Sequence, residues 1–376
     1  MVRPRTPAPP AGIAPLAGYT VAVASDRRRH PLAALLEAAG ARTVGVQAVR
    51  AYSAADDPSV RAATRAALSA PIDELVVASD FGFRAWLRVA RKWDLADPLT
   101  GAIGTARLLA SNPRAADALR EVGLHEIWST AAGSTEELVR YLLAQPLKGR
   151  RIVVQSDGMS VAELCHAMRV AGAEVVEVCT YQSAPPAHAD LLRRLGDQIV
   201  NRQVDAVAFT GAAAIGHLLA QAAADHRRDD VLNALADEVS ALCPGELTAA
   251  PLRAAGVPAV TADHPYLEQV VAVACGTVPE KAVRLAGTRY RMEVRGQAVV
   301  LNDELIPVPP GPIAVLRVLA RNPGRVLSCA EIRRAAPNWS AVDDHAIEMA
   351  VSRLRRTLQD GNLVQTVMRR GYRLAA

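Results

Sequence analysis

Six side chains near the C-terminus, Ser352, Arg353, Arg356, Arg369, Arg370 and Arg373, have the types and spacing to grip a phosphate backbone. Guanidinium groups are permanently charged and offer forked donors matched to phosphate oxygens. The elements that must carry them are legible. Ser340 and Asp343 stand at capping-box spacing, and Asp343 and Asp344 fall in a first turn, where carboxylates favour the positive end of the helix dipole. Ile347, Val351, Leu354 and Leu358 recur at helical spacing, while His345, Met349, Ser352, Arg353 and Arg356 share a different face. A helix is expected over 343–358. After the Asp360-Gly361 break, Leu363 to Val367 and Tyr372 to Leu374 read as two strands around Met368-Arg369-Arg370-Gly371, with Gly371 able to take positive φ. A basic helix followed by a hairpin with arginines at its tip suits a duplex, because a helix fits the major groove and the hairpin reaches phosphates or the minor groove. Taken alone, the pattern also describes an amphipathic helix with a solvated cationic face.

The order of the motifs adds to this. A leading sheet, VPPGPIAVLRVLARNPGRVLS, the SRLRRTL helix and the TVMRRGYRL hairpin together resemble the winged-helix effector domain of the OmpR/PhoB class of bacterial response regulators. The resemblance implies that Asp343 to Leu358 is the recognition helix, that Ser352, Arg353 and Arg356 touch double-stranded DNA, and that Arg369, Arg370 and Arg373 belong to the wing. Arg369 stands where that family usually has a first glycine before the Gly-Tyr pair, which changes the wing turn and adds charge. Two winged helices per operator, hence a homodimer on DNA, is the arrangement a repeated half-site would require.

Charge is distributed to match. From Lys281 onward there are 16 Lys and Arg against 8 Asp and Glu, whereas the rest of the chain has 27 against 30. The polyanion-binding surface therefore belongs to the tail. The 376 residues suffice for two or three domains with proper cores. No apolar run is long enough to span a bilayer and the N-terminus lacks the apolar core of a signal peptide, so a cytoplasmic protein without membrane contact is expected. Cys165, Cys179, Cys243, Cys275 and Cys329 are scattered without metal-ligand spacing, so neither structural disulfides nor a metal is expected.

Residues 1–16 are rich in proline and alanine and read as a disordered tail. TVAVAS then opens a series of apolar strands, each leading into a helix: before Pro31 to Ala39, ELVVAS before Phe83 to Ala90, ARLLAS before Pro113 to Val122, RIVVQS before Val161 to Ala171, DAVAFT before Ala212 to Ala223, and VSALCP before Leu247 to Ala255. Such alternation predicts an α/β fold with parallel sheets covered on both faces. Asn112 and Gly123 enclose a segment as long as the one between Gly245 and Gly256, which reads as an approximate internal duplication.

DAVAFTGAAAI, CPGELTAAPLRAAGVP, GRRIVVQSDG, GAEVVEVCTYQSAPP and the paired glycine-bounded helices resemble uroporphyrinogen-III synthase from about Ala17 to Cys275. The resemblance implies a two-lobed fold with parallel sheets in each lobe: residues 17–49 and 185–275 in lobe 1, 50–184 in lobe 2, then a linker over 276–286 and a winged helix over 287–376. That family closes the linear tetrapyrrole hydroxymethylbilane without a cofactor, and Tyr181, on a crossover strand at the cleft, matches its candidate proton donor. A tetrapyrrole bearing eight carboxylates needs cations and helix N-termini around it. Arg27, Arg28, Ser79, Ser156, Gly158, Thr210, Gly245 and Thr248 are the candidates for that site. The chain departs from the family at Thr210-Gly211, where Thr-Ser is common, and at Asn112 and Ala115, where Gly and Thr are common.

The first strand leads into Ser-Asp-Arg-Arg-Arg rather than an acidic pair, so no phosphorylated receiver is expected. The leading expectation is a transcriptional regulator whose synthase-like part senses a ligand. Such fusions are similar to actinobacterial synthase-like regulators, including the nitrate/nitrite assimilation type. A working synthase with an appended DNA-binding domain, and a scaffold docking a second transcription regulator, stay open as alternatives.

Overall fold

The computed structural model describes residues 12–25, 31–54, 57–129, 135–156, 162–263, 266–286, 290–336, 339 and 342–375. The apolar run TVAVAS forms β1 (Thr20–Ser25), buried along its whole length, and is followed by α1 (Pro31–Ala38) and β2 (Arg42–Gln47). β3 (Arg50–Ser53) carries the chain into a second lobe. That lobe contains α2 (Pro58–Ala67), β4 (Glu74–Val77), α3 (Asp80–Lys92), α4 (Ala96–Gly104), β5 (Arg107–Ala110), α5 (Pro113–Arg120), β6 (Trp128–Ser129), α6 (Thr135–Leu143), β7 (Arg151–Ser156), α7 (Ala162–Val170) and β8 (Glu174–Cys179). β9 (Tyr181–Ala184) returns to the first lobe, completed by α8 (Asp190–Val200), β10 (Ala206–Phe209), α9 (Ala212–Ala224), α10 (Arg228–Asp237), β11 (Ser240–Cys243), α11 (Glu246–Ala254), β12 (Ala259–Thr261) and α12 (Leu267–Thr277).

Each lobe is built on a five-stranded parallel sheet, ordered β12-β11-β10-β1-β2 in one and β6-β5-β4-β7-β8 in the other. The orders coincide when β10 to β12 are laid on β4 to β6, and β1 and β2 on β7 and β8. Helices cover both faces, which is why the central strands are continuously apolar. Leu195, Ile215 and Leu218 pack on one side of the first sheet, and Leu16, Leu32 and Leu36 on the other. In the second lobe Phe83, Trp86 and Ile103 face Leu138, Leu142 and Met168 across the sheet.

The two crossings, β3 and β9, pair antiparallel from Arg50↔Ala184 to Ser53↔Tyr181. Each crossing leaves the C-terminal edge of a parallel sheet, since β3 follows β2 and β9 follows β8. The two C-terminal edges therefore face one another across a ladder about 13 Å long. In parallel α/β sheets this is the edge at which ligands bind.

The stretch 276–286, read from sequence as a linker, is built from ordered elements. The end of α12 runs into a 3-10 turn at Val278–Lys281, and β13 (Val283–Ala286) pairs with β14 (Arg291–Val294). With β15 (Ala298–Leu301) and β16 (Glu304–Pro307) they form an antiparallel sheet of four strands. Alternating side chains on β13 pack against the C-terminal core through Val283 and Leu285, a period-2 signal too short to stand out beside Pro279. α13 (Pro310–Ala320), α14 (Cys329–Ala335), α15 (Asp344–Leu358) and the hairpin β17 (Val364–Val367) to β18 (Gly371–Leu374) follow. Ser328 and Glu331 form a capping box on α14. No helix among the described residues is long and apolar enough to cross a membrane.

The C-terminal domain is docked on the first lobe rather than tethered to it. Gln297 donates its backbone N–H to Gly18 O at 2.7 Å, and Arg295, almost wholly buried, donates to Ala17 O at 2.8 Å. Arg317 of α13 reaches Asp205 at 3.4 Å, and Arg321 reaches Glu238 at 3.3 Å. All these contacts lie at the N-terminal edge of the first sheet, where Gly18 and Asp205 precede β1 and β10. The inter-lobe edge is at the opposite end of the same strands.

Candidate nucleic-acid interface and inter-lobe site

α15 begins one residue later than its sequence suggests. Asp343 has extended backbone angles and its carboxylate accepts from Ala346 N at 2.8 Å, so it is the N-cap itself. The expected Ser340–Asp343 capping box is therefore corrected, because Asp343 occupies the cap and not the third helical position; Ser340 lies outside the described residues. Ile347, Ala350, Val351, Leu354 and Leu358 are buried under α13 and α14. Met349, Ser352, Arg353 and Arg356 are exposed on the outward face. Neither Arg353 nor Arg356 has an ion-pair partner among the described residues, so both charges are available to an anion.

Arg355 has a different task that its sequence position hid. Its guanidinium donates to Val364 O and to Thr366 Oγ1, each at 2.8 Å, and so fastens the wing to the helix. A buried-side neighbour of two exposed arginines carries no sequence signal for such a role. The wing is also held from below, where Leu327 and Tyr372 exchange backbone hydrogen bonds of 2.8 and 2.9 Å. Gly371 takes φ +124°, as its type allows, and a Cβ there would collide with Leu327 O. Arg369 adopts φ +60°, which explains why a glycine is common at that place. Met368, Arg369 and Arg370 are exposed at the tip, and Arg373 is exposed with one donor on Gln365 at 2.8 Å. Helix face and wing tip together present five arginines around one serine.

At the C-terminal edge of the second sheet, polar groups form a connected set. Ser79 caps α3 by accepting from Gly82 N at 3.0 Å, and its own N–H donates to Gln155 Oε1 at 3.2 Å. Gln155 Nε2 donates to Thr180 Oγ1 at 3.0 Å, and Thr180 in turn donates to Gly82 O at 2.9 Å. Gln155 and Thr180 are fully buried, so this closed circuit fixes the start of α3 against the start of β9. Tyr181 is the next residue, half-buried, with its ring edge-on to Phe81 at 5.9 Å. Ser79 and Tyr181 thus meet at one helix N-terminus, through two buried partners that the sequence did not single out.

The other candidates are spread along the two edges. Ser156 donates its hydroxyl to Glu177 at 2.7 Å. Thr210, Gly245 and Thr248 lie on the first lobe. Thr210 is held to Ala24 O, Gly245 is the N-cap of α11, and Thr248 sits half-buried in that helix's first turn. Arg27, Arg28 and Gly158 lie outside the described residues. Asn112, one of the family departures, caps α5 by accepting from Ala115 N at 2.9 Å, so it supplies a polar group of another kind. No group of three or more His, Cys, Asp or Glu is placed to hold a metal among the described residues.

Comparison with known proteins agrees with both halves. The family described as uroporphyrinogen-III synthase HemD matches residues 32–272, and the transcriptional regulatory protein C-terminal family matches residues 303–374. A mutant uroporphyrinogen III synthase from Thermus thermophilus is 25% identical, with a TM-score of 0.51 over 69% of this chain and 96% of its own. YjjA, an uncharacterised protein of Bacillus subtilis, is 25% identical over 69% of this chain and 94% of its own length. The response regulator PmrA of Pseudomonas aeruginosa is 35% identical over 24% of this chain, a match that spans 40% of that regulator. The C-terminal domain is of the OmpR/PhoB type and its partner is double-stranded DNA, which makes the protein a DNA-binding regulator. Over the greater part of its length, the chain belongs to the uroporphyrinogen-III synthase HemD family.

Proposed function

We propose that the inter-lobe edge is a sensory site for a carboxylated tetrapyrrole, and that its occupancy biases DNA binding by the winged helix. The observation that carries this reading is the continuity of β1 and β10. Their C-terminal ends border the inter-lobe edge, while Tyr19 and Asp205, each just before their N-terminal ends, meet the docked DNA-binding domain through Glu293 and Arg317. A ligand that draws the lobes together has a short, stiff route to the orientation of α15. Recognition would run through Ser352, Arg353 and Arg356, with Arg369, Arg370 and Arg373 on the backbone, in a homodimer on a repeated site. Control of nitrate and nitrite assimilation is the regulatory context suggested by the resemblance to synthase-like regulators.

A second reading is favoured by the seating of Tyr181 at the N-terminus of α3. The positive end of a helix dipole beside a phenol suits protonation of a departing hydroxyl, the step a synthase needs. Incubation with freshly generated hydroxymethylbilane, followed by separation of the type I and type III isomers, decides between the two. Only spontaneous type I product is expected for a sensor. Type III product that disappears in Tyr181→Phe would establish catalysis instead.

A further inference from the structure

The seam between the first lobe and the DNA-binding domain encloses a cavity of about 230 Å³ that the inter-lobe site does not involve. One wall is lobe 1, through Tyr19, Arg202, Asp205 and Glu238; the other is the C-terminal domain, through Arg295, Gly296, Arg317 and Arg321, and Lys281 of the connecting turn stands at the mouth. Five cations line it against three carboxylates. The inner charges are taken up locally. Arg295 pairs with Glu293 at 2.9 Å, and Arg317 with Asp205. Gly296 lies so close to Asp205 that a Cβ would strike the carboxylate, which seals this inner end.

The outer end is different. Arg202 at 2.8 Å and Arg321 at 3.3 Å share the single carboxylate of Glu238, and Lys281 has no carboxylate within ion-pair distance among the described residues. Partial desolvation lowers the pKa of the Lys281 ammonium, which stays exposed, against the opposing pull of the Glu238 and Asp237 carboxylates. Arg202 also takes φ +51°, a conformation that costs a non-glycine residue energy at a helix end where Gly or Asn is the ordinary choice. Its side chain bridges Glu238 and Val200 O, and it lines a second cavity of about 190 Å³ on the other side of the same bridge, together with Arg321. Arg202, Arg321 and Lys281 thus stand three against the two carboxylates of Glu238 and Asp237, on separate elements that come together when the domain is docked.

We infer that this seam cavity is a binding site for a small dianion, a dicarboxylate or an inorganic phosphate, held by Arg202, Arg321 and Lys281. The ligand satisfies the surplus cations and ties lobe, connector and α13 together. The full-length protein should be titrated calorimetrically with succinate and with phosphate at matched low ionic strength, with acetate as the monoanionic control. Saturable one-to-one uptake of one dianion is expected, and which of the two binds identifies the ligand's chemistry. Lys281→Met and Arg321→Gln should each weaken it about tenfold or more, the effect of losing one charge-assisted hydrogen bond. Hydrogen exchange on the same complex should show added protection over 278–283. Absence of saturable uptake, equal response to acetate, or unchanged affinity in both variants with their folded circular dichroism intact would overturn the assignment.

Discussion

Arg369 offers a way to separate charge from backbone geometry in the wing. Its φ of +60° costs an L-residue roughly 1–2 kcal/mol relative to the right-handed region. Replacement by glycine removes that cost, and returns about 0.5–1 kcal/mol of it through the extra freedom of the unfolded chain. Arg369→Gly should therefore stabilise the C-terminal domain by about 0.5–1 kcal/mol net. It should simultaneously remove one phosphate contact, lowering the slope of log K against log salt by about 0.9. Combined with Arg370→Ala the loss of slope is about 1.8, so that the gap between wild type and variant changes about twelvefold between 50 and 200 mM salt. Fluorescence anisotropy on a random-sequence duplex measures the slope, because backbone contacts are independent of sequence. Urea denaturation of the same variant measures stability. A slope that is unaltered would remove the wing from the interface. An Arg369→Gly protein less stable than the wild type would refute the strain.

Other substitutions address the supports. Gly371→Ala combines a positive φ with a collision at Leu327 O and breaks a two-bond bridge, so a loss of about 3 kcal/mol or more in the C-terminal transition is expected by denaturation. Arg353→Ala with Arg356→Ala should weaken binding to a selected operator by more than it weakens binding to random duplex, since base contacts lie on the helix; equal losses on both DNAs would place these arginines on the backbone. Ser79→Ala removes the α3 cap and should cost about 1 kcal/mol by thermal denaturation. Burial, opposed by Arg317, the Thr20 N–H and Arg42, pushes the Asp205 carboxyl up to about 6. Because the folded state holds this proton more tightly than the unfolded one, stability from Asp205 is full below about pH 4 and declines as pH rises to about 6. Asp205→Asn should flatten the stability profile in that window, with an unchanged profile counting against the buried pair.

The seam pair also shows why an ion pair is not simply adhesive. Burial raises Asp205 and lowers Arg317, so for both partners desolvation outweighs attraction. Their contribution is to the register of docking, with Gly296 permitting the approach. By contrast, burial pushes Glu238 upward but the hydrogen bonds from Arg202 and Arg321 prevail and hold it below the ordinary range.

Local signals were legible in the sequence wherever a residue's neighbours along the chain decide its role. The Ser328–Glu331 capping box, the positive φ of Gly371, the buried stripe of α15 and the alternation of apolar strands with helices all rest on spacings of a few residues. The OmpR/PhoB and synthase resemblances likewise came from contiguous motifs. What escaped was set by distant partners: Arg317 with Asp205, Gln155 with Thr180, and Arg355 with the wing carbonyl. An arginine reads the same in sequence whether it is left exposed, as Arg353 and Arg356 are, or clamps a hairpin, as Arg355 does.

The most direct test of the regulatory proposal is a DNA-binding isotherm on an operator selected by the full-length protein, taken with and without a saturating carboxylated tetrapyrrole. Coupling between the inter-lobe site and the winged helix predicts a shift of about 5- to 150-fold in affinity, corresponding to about 1–3 kcal/mol. Superimposable isotherms, with binding of the tetrapyrrole verified separately, would contradict it.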